Sequence, residues 1–272
     1  MDFVIGSVSS IPTRLDSLIF VLDDMLKQTR KIDFLYVSIA RYYPRSKTTY
    51  SQDKINELKT FLSIYPVPNE LVIYENDIGP TVKLLTPLKH FITNTTDSVL
   101  NRVENTFIFT FDDDTPVQGT TIEALLLSYN KNKGAAYSFS GAREGRFLHA
   151  ELLPHDYDYF EIDVVGGYRG VLYPMSLFKD KLEFYRWVEM FMNDSKKHNL
   201  IAMHDDHIFS YYLKYKGIPR RVSSSPFNKN FTYTPIQNTD GIFNDENTNS
   251  SFDILKKTLF DNDLAWVFNN PY

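Results

Sequence analysis

Short apolar runs alternate along the first 140 residues with longer segments whose apolar positions recur three and four apart. "DFVIGSV" (2–8), "DFLYVSIA" (33–40), "ELVIYEND" (70–77), "TFIFTF" (106–111) and "GAAYSFSG" (134–141) read as strands. Between them Leu15, Leu18, Ile19, Leu22, Met25 and Leu26 mark one face of a helix. Further helices are predicted over 52–64, over the segment opened by "IGPTVKLL", where Pro80 suits a first helical turn, and over "GTTIEALLLSYNKN". Strand and helix in alternation imply a mostly parallel sheet flanked by helices. The unbroken apolar runs "FLYVSI", "LVIY" and "FIFTF" suit strands covered on both faces.

Beyond residue 140 the pattern loosens. "EIDVVGGYRGVLYP" predicts a glycine-bearing strand and turn, and "SLFKDKLEFYRWVEMF" a helix. "HDDHIFSYYLKYKG" predicts another helix, with Gly217 as its stop, and "FDILKKTLF" a last short one. No repeat or linker interrupts the chain.

Composition narrows the function more than the fold. A net charge of −5 argues against a nucleic-acid binder. The absence of cysteine removes disulfides, thiolate metal sites and cysteine nucleophiles. The first residues lack the pattern of a signal peptide, and no apolar run is long enough to span a membrane, so the expected compartment is the cytoplasm. Sequons at Asn94, Asn193, Asn230 and Asn249 are expected as chance matches in an Asn-rich chain.

Chemistry concentrates where an apolar strand ends in "FDDDTPV". Ligands of open α/β sheets sit outside the carboxyl ends of the strands, which is where Asp112, Asp113 and Asp114 fall. On an extended chain Asp112 and Asp114 face one side and Asp113 the other. Two converging carboxylates are a hard-oxygen site for Mg²⁺ or Mn²⁺, and a metal there could hold a diphosphate. A solvated acidic turn is the simpler account of an isolated Asp-X-Asp. Arg14 in "SSIPTR" stands before the first helix, as a surface arginine or a phosphate contact. Asp77 and Gly79 in "ENDIGPTVKLL" form a turn, where backbone N–H groups favour anions, and Lys83 lies beyond it within reach of a diphosphate. Asp205 and Asp206 open the helix after "MH". Helix capping explains one of them, and a general base the other. His204 and His207 flank the pair and read most simply as surface histidines. Gly166, Gly167 and Gly170 permit tight turns or close approach of backbone. Most aromatic residues belong to the core, with Trp187 or a tyrosine left as a sugar platform.

Taken in order, "SSIPTR", "DIGPTVKLL", "FTFDDDTPV", "IDVVGGYRGVLYP" and "HDDHIFSYYLKYKGIP" resemble the motifs of GT-A-fold glycosyltransferases, over residues 1–222. The resemblance implies an α/β, Rossmann-like GT-A fold with a less regular acceptor-side half. It implies transfer from a nucleoside diphosphate sugar of UDP or GDP type to a hydroxyl of a glycan or other acceptor, assisted by Mn²⁺ or Mg²⁺. Asp112 and Asp114 become the metal ligands. Arg14, Asp77, Gly79, Lys83, Asp112 and Asp113 become donor contacts, and Asp206, ahead of Asp205, the base of an inverting reaction. The donor half is expected over 1–118, the acceptor half over 119–225, and a C-terminal extension packed on the same domain over 226–272. A haloacid-dehalogenase-like phosphatase also carries Asp-X-Asp after a strand, but on its first strand and with Thr or Val where Pro116 stands. A pyrophosphorylase would need a glycine-rich loop that "GSVSSIPTR" lacks. A non-catalytic carbohydrate-binding protein would not need the metal carboxylates and the second acid pair together.

Overall fold

The structure is a computed structural model that describes residues 2–44, 47–93, 104–143, 146–150, 158–192, 204–223, 248–264 and 267. The amino-terminal half runs β1 (Phe3–Ser9), α1 (Leu15–Met25), β2 (Phe34–Ala40), a small hairpin of β3 (Tyr42–Tyr43) and β4 (Thr48–Thr49), α2 (Gln52–Ile64), β5 (Asn69–Tyr74), α3 (Val82–Thr93) and β6 (Thr106–Thr110). There follow α4 (Thr121–Lys131), β7 (Ala136–Ser138), β8 (Ser140–Arg143), β9 (Arg146–His149), β10 (Tyr159–Glu161), β11 (Val164–Val165) and β12 (Val171–Pro174). The chain closes with α5 (Lys181–Met192), α6 (Asp205–Tyr215), β13 (Arg220–Ser223) and α7 (Thr248–Asp261).

Eight strands form one sheet in the order β10-β13-β7-β12-β6-β1-β2-β5. Only β12 and β10 run against the other six, so the sheet is mainly parallel, as the alternation predicts. Val4, Ile5, Val8, Leu35, Val37, Phe107, Ile108 and Phe109 are buried, so the central strands are covered on both faces. Two predicted strands divide. "GAAYSFSG" breaks at Phe139 into β7 in the main sheet and β8 in a second sheet, β11-β8-β9. "EIDVVGGYRGVLYP" spans the end of β10, all of β11, a 3₁₀ turn at Gly167–Arg169 and β12. Leu255 and Leu259 of α7 lie in the common core, and α7 packs on α5. Asn94, Asn193 and Asn230 and the chain from 224 to 247 lie outside the described residues. No helix among the described residues is long and apolar enough to cross a membrane.

The order of strands decides where a site forms. From β1 the chain moves outward to β2 and β5, then returns to place β6 on the other side of β1. Loops leaving β1 and β6 therefore diverge, and a crevice opens between them at the carboxyl ends of the strands. Ser7 is level with Thr110, and the Phe111 N–H donates to the Ser7 carbonyl at 3.2 Å, so both loops leave the sheet at one height.

Gly170 holds β12 against β6. Its φ is +83°, and a Cβ there would lie 2.3 Å from the Phe109 ring. Gly170→Ala should therefore cost roughly 2–4 kcal/mol through combined overpacking and backbone strain, measured by urea unfolding.

Candidate active site

The β6 strand ends at Thr110, and the chain turns at Asp113 and Asp114 instead of staying extended. The three carboxylates therefore do not alternate between two sides. Asp113 and Asp114 both reach Arg14, at 3.1 and 2.9 Å from its Nη1, while Asp112 turns to Lys83 Nζ at 2.7 Å. Asp112 and Asp114 still repel each other through space. Arg14 closes the 3₁₀ turn after β1, and the proline at 12 fixes the start of that turn.

Lys83 is the second residue of α3, with Pro80 in the preceding 3₁₀ turn rather than in the helix. Its side chain is 6% exposed and reaches a second carboxylate, Asp205 Oδ2, at 2.9 Å. One ammonium thus joins the loop after β6 to the start of α6. Neither aspartate of α6 is its N-cap, which is His204. Asp205 is buried and held by Lys83. Asp206 is half-buried, and its Oδ2 accepts from the Gly167 N–H at 2.8 Å. A Cβ on Gly167 would lie 2.6 Å from Asp206 Oδ1, so the backbone approaches this carboxylate as closely as glycine allows.

Asp77 lies three residues beyond the end of β5, and its Oδ1 accepts from the Gly79 N–H at 2.7 Å, a turn that the φ of +70° at Gly79 completes. Arg14, Asp77, Gly79, Lys83 and the three aspartates all follow the carboxyl ends of the parallel strands β1, β5 and β6. Asp77 stands nearest the sheet edge; it and Asp113 both act on the buried Tyr43. Trp187 is 6% exposed and donates from Nε1 to the Ile208 carbonyl at 2.9 Å, so it belongs to the core and is no sugar platform.

Among the described residues five carboxyl groups gather here with two cations, Arg14 and Lys83. Burial raises Asp113 to about 6, helped by Asp114 and opposed by Arg14 and Ser10. Burial also raises Asp114, with Arg14 pulling it back. Asp205 is raised by burial, against the pull of Lys83. Asp206 is held well above the carboxylate range by burial and by the charge of Asp205. The α6 N-terminus does not reverse this, so a group that a helix start alone would make a weak base is here a stronger one. Burial alone would lower Lys83, but Asp112, Asp205 and Asp206 together keep it well above its ordinary value.

A divalent cation between Asp112 and Asp114 would meet two carboxylates already paired with Lys83 and Arg14. Among the described residues no three His, Cys, Asp or Glu side chains gather at one point, so a cation would take at most two carboxylates from the protein. That is how Mg²⁺ is usually held beside a substrate phosphate. Its charge would also offset the excess of carboxylates. The partnership of Lys83 with Asp205, the Gly167 N–H on Asp206 and the buried Tyr43 near Asp113 had no signal in the sequence, because each joins segments far apart in the chain.

No protein-family model and no curated protein matches the chain. Its fold is similar to that of TarS 1–349 from S. aureus, solved in complex with UDP-GlcNAc, at a TM-score of 0.54 and 12% identity, over 96% of this chain and 67% of that one. A second TarS 1–349 structure gives 0.48 at 12% identity over 96% and 65%. The mannosyltransferase PcManGT from Pyrobaculum calidifontis, in complex with GDP-Man and Mn²⁺, gives 0.47 at 13% identity over 80% of this chain and 54% of that one. The architecture is that of the GT-A glycosyltransferase fold, a mainly parallel sheet flanked by helices.

Two outcomes test the electrostatics. Lys83→Met leaves Asp112 and Asp205 without their shared counterion, and should cost about 3–5 kcal/mol in urea unfolding with chelator present. Burial, with His204 beside it, pushes His207 down to about 3 from an ordinary 6.5. Between those values the unfolded chain binds a proton that the folded chain refuses. This share of stability is complete above pH 6.5 and is lost as the pH falls toward 3. Thermal melts of His207→Asn should decline less over that window than those of the unchanged protein.

Proposed function

We propose that the protein is a glycosyltransferase that moves a sugar from a nucleoside diphosphate to a hydroxyl acceptor, with inversion at the anomeric carbon. The observation that carries this reading is the juxtaposition, through Lys83, of the Asp-X-Asp loop with the half-buried Asp206. The crevice between β1 and β6 takes the nucleotide. Arg14, Asp77, Gly79, Lys83 and Asp113 line its donor side, and Lys83 and Arg14 offer positive charge to the diphosphate. Asp112 and Asp114 would hold Mn²⁺ or Mg²⁺, which when bound supplies charge to stabilise the leaving diphosphate.

Asp206 takes the proton of the acceptor hydroxyl as its oxygen attacks the anomeric carbon. The bond from that carbon to the diphosphate oxygen breaks, and the diphosphate departs with the electron pair. The raised basicity of Asp206 suits it to this task once it is ionised. Asp205 keeps Lys83 in place and touches no substrate. Residues 1–118 form the donor half and 119–225 the acceptor half, and 226–272 are an extension of the same domain, in keeping with the core position of Leu255 and Leu259. TarS is solved with UDP-GlcNAc, which makes that donor the first to try.

Calorimetry with Mn²⁺ and UDP or GDP should give binding that Asp112→Ala and Asp114→Ala abolish without unfolding the protein. Unchanged affinity in both would remove the metal site. Asp206→Asn should keep donor binding and lose transfer by roughly 10²–10⁴-fold. Gly167→Ala should do the same to a lesser degree, because its methyl group displaces the Asp206 carboxylate.

A further inference from the structure

Gln28 lies three residues beyond α1, is wholly buried, and spends its amide on the chain that leaves the Asp-X-Asp loop. Its Nε2 donates to the Val117 carbonyl at 3.1 Å and to the Gln118 carbonyl at 2.6 Å. Its Oε1 accepts from the Ile122 N–H at 3.3 Å. Ile122 is the second residue of α4, whose N-cap Thr120 makes no side-chain bond, so Gln28 supplies from another segment what the helix start lacks. Thr29 strengthens the grip. Its N–H donates to the Gly119 carbonyl and its hydroxyl to Glu123 Oε2, each at 2.6 Å. An amide is buried at a cost unless its bonds are made, and these three all run to one short segment, 117–122.

The three carboxylates stand between this anchor and another. The Phe111 N–H donates to the Ser7 carbonyl of β1 where the chain enters the loop, and Gln28 holds Val117 where it leaves. Ser7, Arg14 and Gln28 all belong to the continuous stretch of β1, α1 and the loop that follows. Both ends of the Asp-X-Asp loop are therefore fixed to the unit that supplies Arg14, the partner of Asp113 and Asp114. Asp112 and Asp114 repel each other, and a loop loose at its exit relieves that repulsion by spreading. We propose that Gln28 is a positioning residue for the Asp-X-Asp loop, fixing the separation of Asp112 from Asp114 at which a metal-bound diphosphate is held. This rests on the reading of the loop as the donor site. Gln28 touches no substrate and acts through the backbone of residues 117–122.

The test is Gln28→Met, which keeps the length of the side chain and removes its three hydrogen bonds. Leu255→Ala, which empties volume at a wholly buried position of α7, serves as a variant destabilised outside the site. Calorimetry with Mn²⁺ and UDP, and with Mn²⁺ and GDP, is run well below the melting temperature of both variants. Gln28→Met should weaken binding of the nucleotide that the unchanged protein takes by roughly tenfold, the equivalent of one hydrogen bond. Amide hydrogen exchange over 111–117 should quicken in the same variant. Leu255→Ala should leave both unmoved. Unchanged affinity in a folded Gln28→Met overturns the inference, as does an equal loss in Leu255→Ala. Should Gln28→Met not fold, Gln28→Asn takes its place under the same criteria, its amide one methylene too short to hold both Val117 and Ile122. If Asp112→Ala and Asp114→Ala bind as tightly as the unchanged protein, the donor-site reading falls and this role with it. If they abolish binding and Gln28→Met does not weaken it, that reading stands and Gln28 has no part in it.

Discussion

A single buried ammonium connects the two chemical halves of this molecule. Lys83 lies between Asp112, at the end of the fourth strand of the parallel core, and Asp205, at the start of α6. Removing an ion of this kind from water is costly, and the cost is recovered only where carboxylates enclose it closely. Lys83 has both, so α3, the loop after β6 and α6 are fixed with respect to one another. The position of Asp206 follows from this. With Asp205 tied to Lys83, its neighbour turns toward Gly167, whose lack of a side chain lets a backbone N–H come within 2.8 Å of the carboxylate.

The second constraint is charge. Among the described residues Arg14 and Lys83 stand with five carboxyl groups, and burial raises the proton affinity of Asp113, Asp114, Asp205 and Asp206. The cluster stands where the strand order reverses.

Much of this was legible in the chain. The helix over 52–64 and the strands of the first half follow from spacing alone, because burial on one or both faces imposes a period that local sequence must obey. The parallel sheet and the placing of Arg14, Asp77, Lys83 and the three aspartates at one end followed from the alternation of elements. What the spacing could not show was where the backbone leaves its regular path. The turn at Asp113 and Asp114 cancels the alternation expected of an extended segment, and puts both carboxylates on Arg14. The small sheet β11-β8-β9 depends on a break at Phe139 that no glycine or proline marks.

We propose that the crevice between β1 and β6 is a nucleoside diphosphate site with its metal on the Asp-X-Asp loop. Anomalous diffraction from a crystal soaked with Mn²⁺ and UDP, and from another with Mn²⁺ and GDP, tests it directly. A manganese peak is expected at Asp112 and Asp114, with a diphosphate between it and Lys83 or Arg14. A well-ordered nucleotide bound elsewhere, or a manganese peak away from these aspartates, would contradict it.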